Sequence, residues 1–118
     1  MKVVMVEPKK PAYVTEIGND LDSMKEAVGG YIEPIYYLED PRAVMVGNEE
    51  AKLIGLEGNR RFGNRIVAGT FFICGILEDD FDSLPDDLCE KYVKEFAEPQ
   101  DISPDEVQRD TGCFVFSW

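Results

Sequence analysis

Short runs of β-branched and aromatic residues alternate with turn-rich segments along this chain, and they predict the strands of a sheet. The run IVAGTFFICGIL is apolar apart from one threonine and its glycines, which is typical of a central strand buried on both faces. It is too short to span a bilayer. The predicted strands cover residues 3–6, 31–39, 43–46 and 66–77.

Helical spacing of apolar residues predicts two main helices and one short one. Residues 19–30 combine a capping Asn-Asp pair, an apolar stripe at i, i+3 and i+7 that is formed by Leu21, Met24 and Val28, and a terminating glycine pair. A second helix is predicted over about residues 84–97, where apolar side chains recur every four positions. Residues 103–106 have the Ser-to-Glu spacing of a capping box, so a short helix should begin there.

The order of these elements indicates an α+β fold within one domain, residues 1–118. We expect a single mixed or antiparallel sheet with two main helices, in the order β-α-β-β-β-α, then the short helix and a C-terminal strand over residues 113–118. Pro34 favours a sheet edge or a bulge. Because the apolar tail and an edge strand invite pairing, we also predict a homo-oligomer, a dimer or larger.

The composition excludes several classes of function. A chain that is 44% hydrophobic and 31% charged is an ordinary soluble globular protein, and we predict a cytoplasmic location with no membrane contact. The absence of histidine removes the usual general base and the commonest metal ligand. Three widely spaced cysteines without a C-x-x-C pair predict buried thiols, not a zinc site. The sequence also has no phosphate-binding glycine motif. We therefore predict no catalytic residues, no metal and no cofactor.

Charge is distributed unevenly along the chain, whose net charge is -12. Residues 1–77 hold eleven acids and nine bases, whereas residues 78–118 hold thirteen acids and three bases. Within the nearly neutral part, residues 46–65 contain four of the twelve cations, set among asparagines and glycines. This segment is called the basic stretch below.

The basic stretch is the leading candidate for a binding site. Arginine presents a planar fork that matches phosphate oxygens, asparagine can bond to sugar hydroxyls, and glycine allows close approach of the backbone. A tyrosine pair just before the stretch could stack on a nucleotide base. The predicted ligand-binding residues are Asn48, Glu49, Glu50, Lys52, Asn59, Arg60, Arg61, Arg65, Tyr36 and Tyr37.

Other interpretations of the same residues stay open. The basic stretch can be a polar hairpin whose charges pair with each other or with the acidic third of the chain, and the tyrosines can pack on a sheet face. The acids after residue 77 can form a solvated face or imitate the phosphates of DNA. A small hydrolase with Glu49 or Glu50 as the base is weaker, because adjacent residues of a strand point to opposite faces.

Four segments, VEPKKPAYV, LDSMKEAVGGYIEPIYY, GNEEAKLIGLEGNRR and IVAGTFFICG, together resemble a small, functionally uncharacterised family found on bacterial phages, plasmids and conjugative elements. The resemblance covers residues 1–97. The remaining residues, 98–118, form an acidic and apolar extension outside it. The family name carries no activity, so the resemblance supplies only a biological context.

This context implies a counter-defence protein in the cytoplasm of the host cell. The predicted function is to bind and sequester a nucleotide-type immune signal without catalysis. The alternative is an acidic mimic of DNA, or a protein-binding inhibitor, that occupies a host restriction or CRISPR nuclease. The expected partner is accordingly a nucleotide signalling molecule or a host defence protein. We expect no direct binding of nucleic acid.

Overall fold

The structure, a computed structural model, describes the backbone of residues 1–115 and the side chains of residues 1–35 and 38–110. Within these residues the fold is α+β, as predicted. The elements, in chain order, are β1 (Lys2–Val6), β2 (Tyr13–Glu16), α1 (Leu21–Val28), β3 (Ile32–Tyr37), β4 (Ala43–Asn48), β5 (Gly58–Phe62), β6 (Arg65–Ala68), β7 (Phe71–Leu77), β8 (Asp80–Asp82), α2 (Asp86–Glu95) and α3 (Pro104–Val115).

The main sheet is antiparallel, with strand order β2-β1-β7-β4-β3. Strand β7 lies at its centre, and Ile73 has Val4 on one side and Met45 on the other. Strand β8 pairs with the C-terminal half of β7, from Gly75 to Leu77. The prediction of a central buried strand is confirmed, because the apolar residues at the start of β7 are fully buried.

Helices cover both faces of this sheet. Helix α1 packs on the face that carries Phe72 and Cys74. Helix α2 and part of the β5–β6 hairpin pack on the opposite face, against Phe71 and Ile73. Because side chains of a strand alternate between faces, β7 supplies both cores from consecutive residues.

The predicted strand over residues 66–77 is divided in the structure into β6 and β7. Gly69 interrupts it with φ of 74°, a left-handed conformation that glycine adopts without strain. The amide of Gly69 donates a hydrogen bond to the carbonyl of Glu57 at 2.8 Å. As a result β6 pairs with β5, and the two form a separate two-stranded sheet.

The predicted start and end of α1 are confirmed. The Oδ2 atom of Asp20 accepts a hydrogen bond from the amide of Ser23 at 3.0 Å, and Gly29 ends the helix with φ of 77°. Leu21, which the apolar stripe assigned to the core, is instead 57% exposed.

The C-terminal region differs from the expected short helix and strand. Helix α3 begins after Ser103, whose Oγ accepts a hydrogen bond from the amide of Glu106 at 3.2 Å, and it continues to Val115. Residues 113–115 are therefore helical, and the rest of the predicted strand lies outside the described residues. No helix within residues 1–115 is long and apolar enough to cross a membrane.

Candidate functional site

The structure separates the ten predicted site residues into groups with different surroundings. The side chains of Tyr36 and Tyr37 lie outside the described residues, although their backbones pair with Met45 and Val44 of β4. Three polar residues are buried: Asn48, Asn59 and Arg60. Three cations form ion pairs with α3 and are called the basic strip below: Lys52, Arg61 and Arg65. Two acids are exposed in the turn after β4: Glu49 and Glu50.

Asn48 joins the end of α1 to the turn that follows β4. Its Nδ2 donates to the carbonyl of Val28 at 3.2 Å, and its Oδ1 accepts from the amide of Glu50 at 2.8 Å. A Cβ atom on Gly30 would lie 2.7 Å from that Nδ2, so a glycine is needed there. The asparagine and the glycine pair are thus explained by local structure, and the Asn48 amide already has its partners.

Asn59 and Arg60 form a buried network that links β5 to three other parts of the chain. The Nδ2 of Asn59 donates to the carbonyls of Val6 and Gly69, at 2.8 and 2.9 Å. The Nη1 of Arg60 donates to the backbone and side-chain oxygens of Asn59, and its Nη2 donates to the carbonyls of Lys10 and Phe96, at 2.6 and 2.9 Å.

Arg60 is 1% exposed, and among the described residues it has no carboxylate ion pair. Burial lowers the pKa of its guanidinium, but an arginine keeps its proton in proteins. Carbonyl dipoles therefore stabilise this charge in place of a counterion. Arg60 is a structural cross-link, and an incoming ligand cannot reach its Nη atoms without opening the core.

Arg61, the next residue of β5, has the opposite environment. Its Nε and Nη2 both donate to the carboxylate of Glu106 on α3, each at 2.8 Å. Its amide also donates to the side-chain oxygen of Gln100 at 2.8 Å. The bond from Arg61 holds the pKa of Glu106 below its usual range. The carboxylate of Glu106 thus receives from Arg61 the two-point hydrogen bonding that was predicted above for a phosphate.

Asp110, one helical turn after Glu106, forms ion pairs with the other two cations of the basic strip. Its carboxylate accepts hydrogen bonds from Lys52 and from Nε of Arg65, the latter at 2.8 Å. Burial alone would raise the pKa of Asp110, but these two cations lower it overall. The acidic helix α3 therefore covers the basic strip, as in the interpretation that paired these charges within the chain.

Among the clefts that adjoin the basic strip, two contain space next to Lys52. One, of about 290 Å³, brings together four predicted site residues, which are Asn48, Glu49, Lys52 and Arg65. The other, of about 870 Å³, lies between the 52–58 segment and the start of α3. Glu49 approaches Glu33, whose pKa is raised by burial and by the Glu49 charge. No group of three or more carboxylates or cysteines among the described residues is arranged to hold a metal ion.

A second charged feature is the β7–β8 hairpin, whose acids were considered above only as part of the acidic segment after residue 77. Leu77 pairs with Asp80, so the loop consists of Glu78 and Asp79, with φ of 51° and 71°. The term acidic hairpin is used below for the four acids of this hairpin, which are Glu78, Asp79, Asp80 and Asp82. Their side chains are exposed or half-exposed, and they form no ion pair or hydrogen bond with the described side chains. The sequence signal that was missed is the pair of apolar residues, Leu77 and Phe81, on either side of the three consecutive acids in LEDDFD.

The two cysteines with described side chains are buried, as predicted. Burial raises the pKa of Cys74 to about 12 and also raises that of Cys89, so both thiols stay protonated. Cys113 lies outside the described side chains.

Fold and site together define a small acidic α+β domain whose basic strip is neutralised by its own C-terminal helix. The chain belongs to the family described as domain of unknown function DUF3846, whose model matches residues 1–97. The uncharacterised family and its extent agree with the resemblance given above. Neither the curated proteins nor the solved structures include a match.

Proposed function

We propose that this protein acts by binding and not by catalysis, and that it offers an acidic surface to a positively charged surface of another protein. A mimic of DNA phosphates that occupies the basic groove of a host nuclease is the form of this function that suits a mobile element. The observation that carries the proposal is the acidic hairpin, which concentrates four carboxylates that have no counterion among the described residues.

The distribution of ion pairs supports an acidic binding surface over a basic one. Eight of the twelve cations pair with carboxylates of the chain's own described residues, and Arg60 is buried on carbonyls. These eight are Lys2, Lys9, Lys10, Arg42, Lys52, Arg61, Arg65 and Lys94. An anionic ligand would have to displace these carboxylates, whereas a cationic surface meets acids that are already available. Complementary potentials of this kind favour rapid and selective association.

The geometry of the acidic hairpin supports presentation of its charges. Both loop residues, Glu78 and Asp79, have positive φ, as a type I′ turn requires. Asp80 and Asp82 lie on the same side of β8, because they are two residues apart, roughly 7 Å along the strand. A tight hairpin thus fixes the acids in space, which reduces the entropy lost when a partner binds.

The test is displacement of a fluorescent DNA duplex from purified restriction and RNA-guided nucleases. The protein should release the duplex, and a variant with Glu78→Gln, Asp79→Asn, Asp80→Asn and Asp82→Asn should lose most of this effect. The matched control neutralises four exposed acids elsewhere and should keep it: Glu16→Gln, Asp22→Asn, Glu26→Gln and Glu39→Gln. Equal loss in both variants would contradict a role for the hairpin, and no displacement by the native chain would contradict the function.

Sequestration of a nucleotide-type signal is a second candidate, favoured by the 290 Å³ cleft that gathers Asn48, Glu49, Lys52 and Arg65. Its volume is close to the roughly 300 Å³ at which small-ligand pockets begin. Two of its cations already bind Asp110, so a nucleotide must compete with that carboxylate.

Native mass spectrometry with a panel of cyclic and linear nucleotides tests this candidate. An adduct of defined mass that Lys52→Gln with Arg65→Gln abolishes would support it, provided that Lys9→Gln with Lys10→Gln, the control, retains the adduct. The absence of any adduct across the panel would reject it. The same spectra report the subunit count and so test the predicted homo-oligomer.

A further inference from the structure

The groove that holds α3 is formed by residues of the family domain. Its edge is the basic strip, and its floor is apolar: Ala51, Leu56, Ile66 and Ala68. All of these residues lie within the matched range 1–97, whereas α3 lies beyond it. The family domain therefore supplies the surface on which the described part of α3 packs.

The chemistry of α3 shows what this groove recognises. Ile102 and Val107 pack on the apolar floor. Glu106 and Asp110 are four residues apart, so they lie on one face of the helix, roughly 6 Å from each other along its axis. They meet the basic strip in two successive turns. The groove thus fits an amphipathic helix with an apolar stripe and two carboxylates in this spacing.

Gly58 shows that the surface is shaped for such a close approach. A Cβ atom on this residue would lie 2.7 Å from Cγ2 of Ile102 and 2.8 Å from Cγ2 of Val107. Real Cβ contacts are not that short, so any larger residue at the start of β5 would push the extension outward. A residue inside the family domain therefore makes room for a segment outside it.

Among the described side chains, which end at residue 110, those of α3 leave part of the apolar surface uncovered. The cleft of about 870 Å³ remains between the 52–58 segment and the first turns of α3. At this point the side chain of Gln108 borders the cleft, and Leu53 and Ile54 are 76% and 55% exposed. Protein interiors rarely leave gaps larger than a water molecule, so α3 does not fill the groove completely. A helix with bulkier apolar residues would bury more surface.

We propose that this groove is a docking site for an acidic amphipathic helix of a partner protein, and that α3 is a built-in competitor for it. Because α3 is tethered by residues 98–103, its effective concentration is on the order of millimolar. A partner helix displaces it by adding contacts with the cleft and with Leu53 and Ile54. This proposal does not depend on the acidic hairpin.

The experiment uses the full chain with a protease site inserted after Glu98, and a fluorescent peptide of residues 98–118 as the probe. Anisotropy should show that the peptide binds the cut chain, and binds the intact chain at least about tenfold more weakly because the tethered helix competes. A Gln108→Leu peptide, whose new side chain would enter the cleft, should bind both forms more tightly than the native peptide does.

Matched variants separate recognition from general charge attraction. A peptide with Glu106→Gln and Asp110→Asn should bind about tenfold more weakly at low salt, since both carboxylates that meet the basic strip are lost. A peptide with Glu98→Gln and Asp105→Asn has the same charge change at exposed positions and should bind as the native peptide does. In the protein, Gly58→Ala should weaken peptide binding while the far-UV circular dichroism of the sheet is retained.

Three results would overturn the proposal. Failure of the peptide to bind the cut chain would show that the groove has no affinity for an acidic helix in trans. Loss of the sheet signal on cutting would show that α3 is part of the folding core. A dimer of the intact chain that cutting abolishes would identify the α3 of a second copy, and not a partner protein, as the second occupant.

Discussion

The charged side chains of the two hairpins have opposite surroundings: those of one have partners in the chain, and those of the other do not among the described residues. In the β5–β6 hairpin, Arg60 binds buried carbonyls, and Arg61 and Arg65 bind carboxylates of α3. In the β7–β8 hairpin, the acids from Glu78 to Asp82 have no ion pair among the described residues. Within the described residues, the cations of the first hairpin have partners in the chain, whereas the acids of the second have no counterion.

The turns of the two hairpins also differ in how well their residues suit a positive φ. The β5–β6 turn has Gly63 at its first central position with φ of 62°, where glycine carries no steric penalty. The β7–β8 turn has Glu78 and Asp79 in positive φ, although Asn-Gly is the preferred pair. Local rules are broken most often where function requires a particular side chain. The charges of the first hairpin thus serve contacts within the chain, and in our proposal those of the second serve contacts with a partner.

Substitution of Arg60 should have the largest effect and tests whether the first hairpin is structural. Arg60→Ala removes four hydrogen bonds. The side-chain oxygen of Asn59 and the carbonyl of Lys10 then lose their donor, whereas the carbonyl of Phe96 keeps the amide of Ala12. We expect the free energy of unfolding to fall by about 3 kcal/mol, as when a buried polar network loses one member. Urea unfolding with an unchanged slope measures this loss.

The neighbouring Arg61 provides the control, because Arg61→Ala makes the same chemical change at an exposed position of the same strand. Its effect should be much smaller and should diminish at high salt, as for surface ion pairs. Similar losses for the two variants would contradict the assignment of Arg60 to the core and Arg61 to the docking surface.

Replacement of the β7–β8 turn should have the next largest effect, and in the opposite direction. Glu78→Asn with Asp79→Gly supplies the residues that a type I′ turn prefers, so we expect stability to rise by roughly 0.5–1 kcal/mol. Binding to a cationic partner should fall at the same time. The melting temperature and the DNA-displacement assay measure the two outcomes.

The reciprocal change, Gly63→Glu with Asn64→Asp, should lower stability, since the positive φ of Gly63 is strained for glutamate. If neither exchange changed the stability, the acids of the β7–β8 loop would have no conformational cost. The two hairpins would then no longer differ in the strain of their turns.

Much of the main sheet and its helices could be predicted from the sequence because the signals there are local. The apolar run of β7, the Asp20 cap and the glycine pair after α1 each act within a few residues. Leu21 lies on the apolar stripe but is exposed. A helical stripe shows which residues share a face of the helix, but not how far the sheet extends beneath that face.

The candidate site could not be predicted in the same way. Asn59, Arg60 and Arg61 are adjacent in the sequence, and their polar character suggested one solvated ligand site. Only the pairing of β5 with β6 shows that Arg60 points inward and Arg61 outward. The docking of α3 depends on contacts between residues about forty-five positions apart, such as Arg61 with Glu106, which no local pattern contains.

The smallest expected effect is the release of α3 in acid, which would sharpen the contrast between the two hairpins by exposing the β5–β6 hairpin to solvent. Interactions with the basic strip lower the pKa of Glu106 and of Asp110 in the fold. Their stabilisation of the docked helix is therefore present above the ordinary carboxyl pKa of about 4 and is lost as the pH falls through the lowered folded-state values. Backbone amide shifts of residues 105–110 should report this step by NMR, while those of β7 stay unchanged. Asp105→Asn should keep the step, and Glu106→Gln with Asp110→Asn should remove it. A step that persists without both carboxylates would show that apolar packing, and not the basic strip, holds α3 in its groove.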